Sequence, residues 1–130
     1  PVFAEVTGDE NWMKVYDTTY DIINTFVDEY KTGLLPDFII RDSSGNYIPS
    51  PANFLESDYD GYYYYNSCRT PWRIGMDYLV NKNQDSLAFI NAINSFMIPA
   101  MIRGKLKQGI SLTVHLSKIT MTFALLRRSL

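Results

Sequence analysis

The sequence predicts an all-α chain, and three observations carry that expectation. Apolar residues recur at spacings of three and four over residues 9–31, the same spacing returns in two later stretches, and strand-like alternation of any length is missing. The chain has 130 residues, 46% of them hydrophobic and 20% charged, which is material for one domain at most with one modest core.

The first helix is expected over 9–31, where Trp12, Val15, Tyr16, Tyr20, Ile22, Ile23, Phe26, Val27 and Tyr30 make one broad apolar face. Thr7-Gly8-Asp9 offers its cap and Gly33 closes it. Pro36 pushes Leu35 out of the helical region, so the chain turns there. Residues 39–60 are rich in Ser, Pro, Gly, Asn and Asp and read as one loop of about twenty residues, with a turn at Ser43-Ser44-Gly45-Asn46 and with Pro49 and Pro51 opposing regular structure. Loops of that length in compact domains tend to carry function, and this one holds Asp42, Glu56, Asp58 and Asp60.

Thr70-Pro71 opens a second helix over 70–81, with Trp72, Met76, Leu79 and Val80 as its apolar face. Asn83 or Asp85 caps a third over 84–96, with Leu87, Phe89, Ile90, Ile93 and Phe96 inward. Trp12, Val15, Ile23, Phe26, Ile90 and Ile93 are expected among the buried residues. Three such helices do not satisfy one another's apolar faces, so they read as antiparallel hairpins of a larger helical assembly.

Charge divides the chain. Residues 1–100 hold all 14 acidic residues and six basic ones, a net −8, whereas residues 101–130 hold six basic residues and no acid. Six charges diluted by Leu, Ile, Thr and Ser make a weak footprint, and no nucleic-acid partner is expected. No stretch approaches the roughly 18 to 20 consecutive apolar residues of a spanning helix, so no membrane partner is expected either. The opening Pro-Val-Phe-Ala reads as a cut inside a longer gene.

Cys68 is the sole cysteine, which excludes an intrachain disulfide, and it is expected to be a small buried residue. With His115 as the sole histidine, neither a catalytic triad nor a zinc site has material, so no metal and no cofactor is expected. Carboxylates remain for chemistry. The segment from Asp58 to Tyr78 gathers acids, tyrosines, Trp72, Arg69 and Arg73 at a loop-to-helix junction. Aromatic faces stack on the apolar face of a pyranose, charged groups bind its hydroxyls, and paired carboxylates hydrolyse glycosides. A tyrosine-rich core edge with solvated acids is the alternative reading of the same residues.

Thr7-Gly8-Asp9-Glu10-Asn11-Trp12, Thr32-Gly33-Leu34-Leu35-Pro36-Asp37-Phe38, and the run from Tyr65 through Asn66, Arg69, Trp72 and Gly75 to Tyr78 stand in the order of the landmarks of glycoside hydrolase family 8, which the chain resembles over residues 1–96. The resemblance implies part of an (α/α)6 barrel, incomplete here. It implies a secreted endo-β-1,4-glycanase acting by inversion on cellulose, mixed-linkage β-glucan or chitosan. The family's general acid is a Glu far upstream, which this chain lacks, so the fragment alone is expected to be inactive. One branch of the family takes its base from an Asp three residues before an Arg, and that position is Asn66 here. Another branch carries Asn there and draws its base from a Glu in the preceding loop, which implies Glu56, with Asp58 and Asp60 as alternatives. Tyr65, Asn66, Arg69 and Trp72 are then expected to bind substrate, although Arg69 also suits a structural ion pair with Asp77, and Trp72 suits the core. A non-catalytic carbohydrate-binding or degenerate glycosidase-like protein is the second reading.

Residues 97–130 depart from the family pattern. Back-translated and read two bases in, residues 98–130 can yield Gly-Tyr, Asp-Gly-Thr-Pro and Ala-Pro-Phe in an order similar to the family's own continuation. The basic tail is therefore expected to be out-of-frame text.

Overall fold

The structure is a computed structural model, and it describes residues 1–102. Four helices carry it: α1 (Val2–Thr7), α2 (Asn11–Tyr30), α3 (Thr70–Asn81) and α4 (Gln84–Ile102). Between α2 and α3 lie two short strands, β1 (Ile39–Arg41) and β2 (Tyr47–Pro49), and a 3-10 turn over Ser67–Arg69 that runs into α3. The described residues are mostly helical, as expected.

Helix α2 begins where the Asp9 carboxylate accepts the Asn11 N–H at 2.9 Å. Its end differs from expectation: Lys31, with φ of 56°, is the left-handed residue that closes the last turn onto the Val27 carbonyl, not Gly33. Gly33 has another task. A Cβ there would fall 2.5 Å from the Ile93 nitrogen, so its missing side chain lets the 31–35 turn meet the backbone of α4, and its φ of +68° favours glycine as well. Helix α3 matches its expected bounds, with Pro71 in the first turn. Asn83 caps α4 by accepting the Asp85 N–H at 2.8 Å, but α4 runs on past Phe96 and through Pro99 to Ile102. At nineteen residues and a mean hydropathy of 1.3, its length and composition alone would suffice to cross a membrane, a length not expected from the sequence. It lies here against α2 and α3.

The expectation of one loop over 39–60 is corrected by a hairpin. β1 and β2 pair antiparallel with Ile40 opposite Ile48, and Asp42 closes the turn by accepting the Ser44 and Asn46 N–H groups at 2.8 and 2.9 Å. Strands of three residues are too short to display alternation, and Pro49 is tolerated at the end of the outer strand because no N–H is required there.

The core gathers Tyr20, Ile23, Phe26, Leu34, Tyr63, Ile74, Phe89 and Ile93. Ile23, Phe26 and Ile93 are buried as expected and Ile90 is half-buried. Trp12 and Val15 are not: they are 42% and 57% exposed, because α4 covers the Tyr20–Ile23–Phe26 side of α2 and leaves the first turns of its broad apolar face open. Trp12 is met there by Phe3 of α1, with ring centroids 5.0 Å apart. Asp77 stitches three helices by accepting hydrogen bonds from Tyr16 and Tyr20 of α2, Ser86 of α4 and Asn81 of α3. Arg69 makes no ion pair with it: tyrosine and serine hydroxyls occupy that carboxylate, and Arg69 donates to Asn66 instead.

Candidate active site

The site sits at the junction between the hairpin and α3. Backbone pairing continues beyond β1, with the Asp37 N–H donating to the Tyr62 carbonyl at 2.8 Å and the Phe38 N–H to the Asp60 carbonyl at 2.9 Å. Gly61 is needed in that ladder, because a Cβ would collide with the Ser50 carbonyl oxygen. Two turns hang from the ladder, one carrying Glu56 and one carrying Asn66.

Asp60 holds the first. It is 1% exposed, and its Oδ2 accepts the Leu55 and Glu56 N–H groups at 2.6 and 2.9 Å while Oδ1 accepts the Ser57 N–H at 2.8 Å. Desolvation opposes its ionisation, but these three N–H groups and the Ser57 hydroxyl outweigh it and hold the carboxyl below the usual range. Asp37 holds the second. Its Oδ1 accepts the Tyr64 and Ser67 N–H groups at 3.0 and 2.8 Å and the Ser67 hydroxyl at 2.7 Å, and its Oδ2 accepts the Asn66 N–H at 2.9 Å.

Between the turns the side chains meet. The Asn66 amide nitrogen donates to Glu56 Oε2 at 2.9 Å, across ten residues of sequence, and Arg69 Nη2 donates to Asn66 Oδ1 at 2.5 Å. Arginine only donates, so it fixes the amide with its oxygen toward α3 and its NH2 toward Glu56. The Arg69 guanidinium also stands 5.6 Å from the centroid of the Tyr65 ring. Glu56, Asn66, Arg69 and Tyr65, all singled out from the sequence, are therefore in one cluster. Glu56, Arg69 and Tyr65 are exposed, and Glu56 Oε1 accepts no hydrogen bond among the described residues. Such a carboxylate, anchored through one oxygen and open at the other, is equipped to take a proton from water.

The other expected residues stand apart. Asp58 is exposed and accepts a hydrogen bond from the Asn53 amide, while both oxygens of Asp60 are taken by the turn it closes. Trp72 is 63% exposed on α3 with Arg73 over its ring at 5.0 Å, outside the hydrogen-bonded cluster and outside the core. Cys68 corrects its expectation: it is exposed, because the 3-10 turn points it away from the core, and its thiol donates to the Tyr65 carbonyl at 3.0 Å. A groove of about 520 Å³ adjoins the cluster, bordered by Asn66, Arg69 and Arg73 and floored by Ile22, Leu35 and Ile74. Among the described residues no three His, Cys, Asp or Glu side chains converge to hold a metal ion.

Sequence reasoning passed over Asp37. A signal was present, since a lone acid directly after Leu34-Leu35-Pro36 stands in an apolar stretch and must find its donors inside the fold.

No protein-family model matches the chain. It is similar to a β-glucanase of Niallia circulans, 48% identical over 104 residues that make up 78% of this chain and 25% of the relative. An endoglucanase of Bacillus sp. strain KSM-330 is 44% identical over 79 residues, 58% of this chain and 16% of that one. Among solved structures, the apo β-1,3-1,4-glucanase of Paenibacillus sp. X4 superposes with a TM-score of 0.76 at 43% identity, covering 92% of this chain and 32% of that one. The chain thus spans between 16% and 32% of the length of these three proteins. At such identity and such a superposition, the chain is similar over most of its length to one segment of β-glucanases and endoglucanases, which supports the resemblance that its three landmarks carry.

Proposed function

We propose that this chain is the base-bearing segment of an inverting endo-β-1,4-glycanase, with Glu56 as general base. The observation that carries the reading is the Glu56–Asn66–Arg69 chain of hydrogen bonds beside an open groove. Asn66 cannot accept a proton from water, so the carboxylate that it touches takes that task, holding the attacking water on the face of the sugar opposite a general acid. Tyr65, Arg69 and Trp72 supply the aromatic faces and the donors that bind sugar, and the substrate is cellulose, mixed-linkage β-glucan or chitosan. The β-1,3-1,4 specificity named for the Paenibacillus neighbour favours a mixed-linkage glucan.

In this reading the acid lies on a segment outside the chain, the barrel is completed by helices outside it, and the fragment alone is inactive. The enzyme is secreted and uses no metal or cofactor, and its partner is the polysaccharide, with no nucleic acid or membrane involved. Residues 97–130 are out-of-frame text, which sequencing of the encoding DNA tests: a gene without the alternative frame ends that part of the proposal. The catalytic reading is tested by proton NMR of the first product released from barley glucan by an intact enzyme carrying these residues. The reading expects the α-anomer first, from a β-linked substrate. A β-anomer contradicts inversion, and oligosaccharide binding without any turnover favours a degenerate, non-catalytic protein.

A further inference from the structure

We propose that Asp37 is a positioning residue for the candidate base: together with Asp60 it sets the distance between Glu56 and Asn66. The inference rests on the proposed role of Glu56 and goes beyond it.

Glu56 and Asn66 stand on separate polar turns, and each would lose orientation if its backbone were free. Each turn is held by one carboxylate that receives the backbone N–H of the functional residue itself, Glu56 N–H on Asp60 and Asn66 N–H on Asp37. The two clamps are not independent. Asp37 N–H donates to the Tyr62 carbonyl, and the next residue, Phe38, donates its N–H to the carbonyl of Asp60, so the clamps sit on facing strands of one short ladder. The 2.9 Å contact between Glu56 and Asn66 is thus spanned by two carboxylates and two backbone hydrogen bonds. Asp37 receives four donors and offers none, which an isosteric amide cannot reproduce, because one end of the amide would aim N–H at N–H.

The test uses Asp37→Asn in an intact enzyme with these residues, with hydrogen exchange measured on the same enzyme. Displacement of a reacting group by about 1 Å can lower turnover about a hundredfold. We expect kcat to fall about ten- to a hundredfold with KM within about threefold, and exchange at the Tyr64, Asn66 and Ser67 amides to quicken about tenfold or more while the Ile23 and Phe26 amides keep their protection. Unchanged kcat in folded Asp37→Asn enzyme overturns the proposal, as does equal loss of protection throughout α2. If Asp37→Asn does not fold in the intact enzyme, Ser67→Ala, which removes one hydroxyl donor, decides: a fall in kcat at constant KM supports the clamp, and unchanged kcat overturns it. Full turnover in Glu56→Gln would remove the base reading, and the clamp would then stand or fall on the exchange data alone.

Discussion

At the scale of the residue, the cluster shows how much one line of sequence discloses. Glu56, Asn66, Arg69 and Tyr65 are picked out by the family resemblance, and the structure joins them; Asp37 was passed over, and Asp77 was weighed only as an ion-pair partner of Arg69, because a carboxylate that serves backbone or hydroxyl donors looks in sequence like any solvated acid. Asp77 yields a prediction. Desolvation opposes its charge, but the Tyr20, Asn81, Tyr16 and Ser86 donors outweigh that, and its carboxyl is held below the usual range. A depressed folded-state value stabilises the fold above the unfolded value and loses that contribution as pH falls through the folded one. Acid denaturation should therefore begin earlier in the wild type than in Asp77→Asn relative to each protein's stability at neutral pH, and Asp77→Asn should cost about 2 kcal/mol at neutral pH by urea melting. Equal acid sensitivity in the two proteins would contradict this account of Asp77. At Tyr63 burial acts in the same direction but no donor outweighs it, and the hydroxyl is pushed up to about 12. Cys68, exposed on the 3-10 turn, should react with a thiol reagent without denaturant, and protection until unfolding would contradict its placement.

Elements were legible in proportion to their length and punctuation. Helix α3 is announced by Thr70-Pro71 and stands at its expected bounds, and α2 differs by about a turn at most. The β1–β2 hairpin was hidden because three residues a side cannot show a period, and α1 because six residues at 2–7 carry too little of one. Pro99 did not stop α4. The glycines set a harder limit than any helix propensity. Gly33→Ala would drive a methyl group into the backbone of α4 and strain a left-handed residue, so we expect a loss of about 2 kcal/mol or more in urea melts. Gly8→Ala is the control: it shares the positive φ but meets nothing within 4 Å, and should cost about 1 kcal/mol. Equal losses at the two positions would show that the close approach to Ile93 contributes nothing.

At the scale of the molecule, the helices leave apolar surface unpaired, as three helices with broad faces must. Val2, Phe3 and Val6 of α1, Trp72, Leu79 and Val80 of α3, and Ile98 and Ile102 of α4 are all more than half exposed. The chain corresponds to about a third of the glucanase that it superposes on, and such faces are expected where further helices would pack. On its own it should bind a hydrophobic dye and self-associate; a sharp, cooperative melt of a monomer without dye binding would contradict the reading as one part of a larger barrel. No feature of the sequence showed which of its apolar faces α4 would cover, because that depends on partners distant in the chain. The central claim, that Glu56 is the base, is tested most directly by comparing Glu56→Gln with Asp58→Asn in an intact enzyme of this type. Glu56→Gln keeps the shape and the Asn66 contact but cannot take a proton, so turnover should fall about a thousandfold or more while oligosaccharide binding by calorimetry stays within about threefold. Asp58→Asn should keep most of its turnover. Near-normal turnover in Glu56→Gln together with loss in Asp58→Asn would contradict the account and move the role to Asp58.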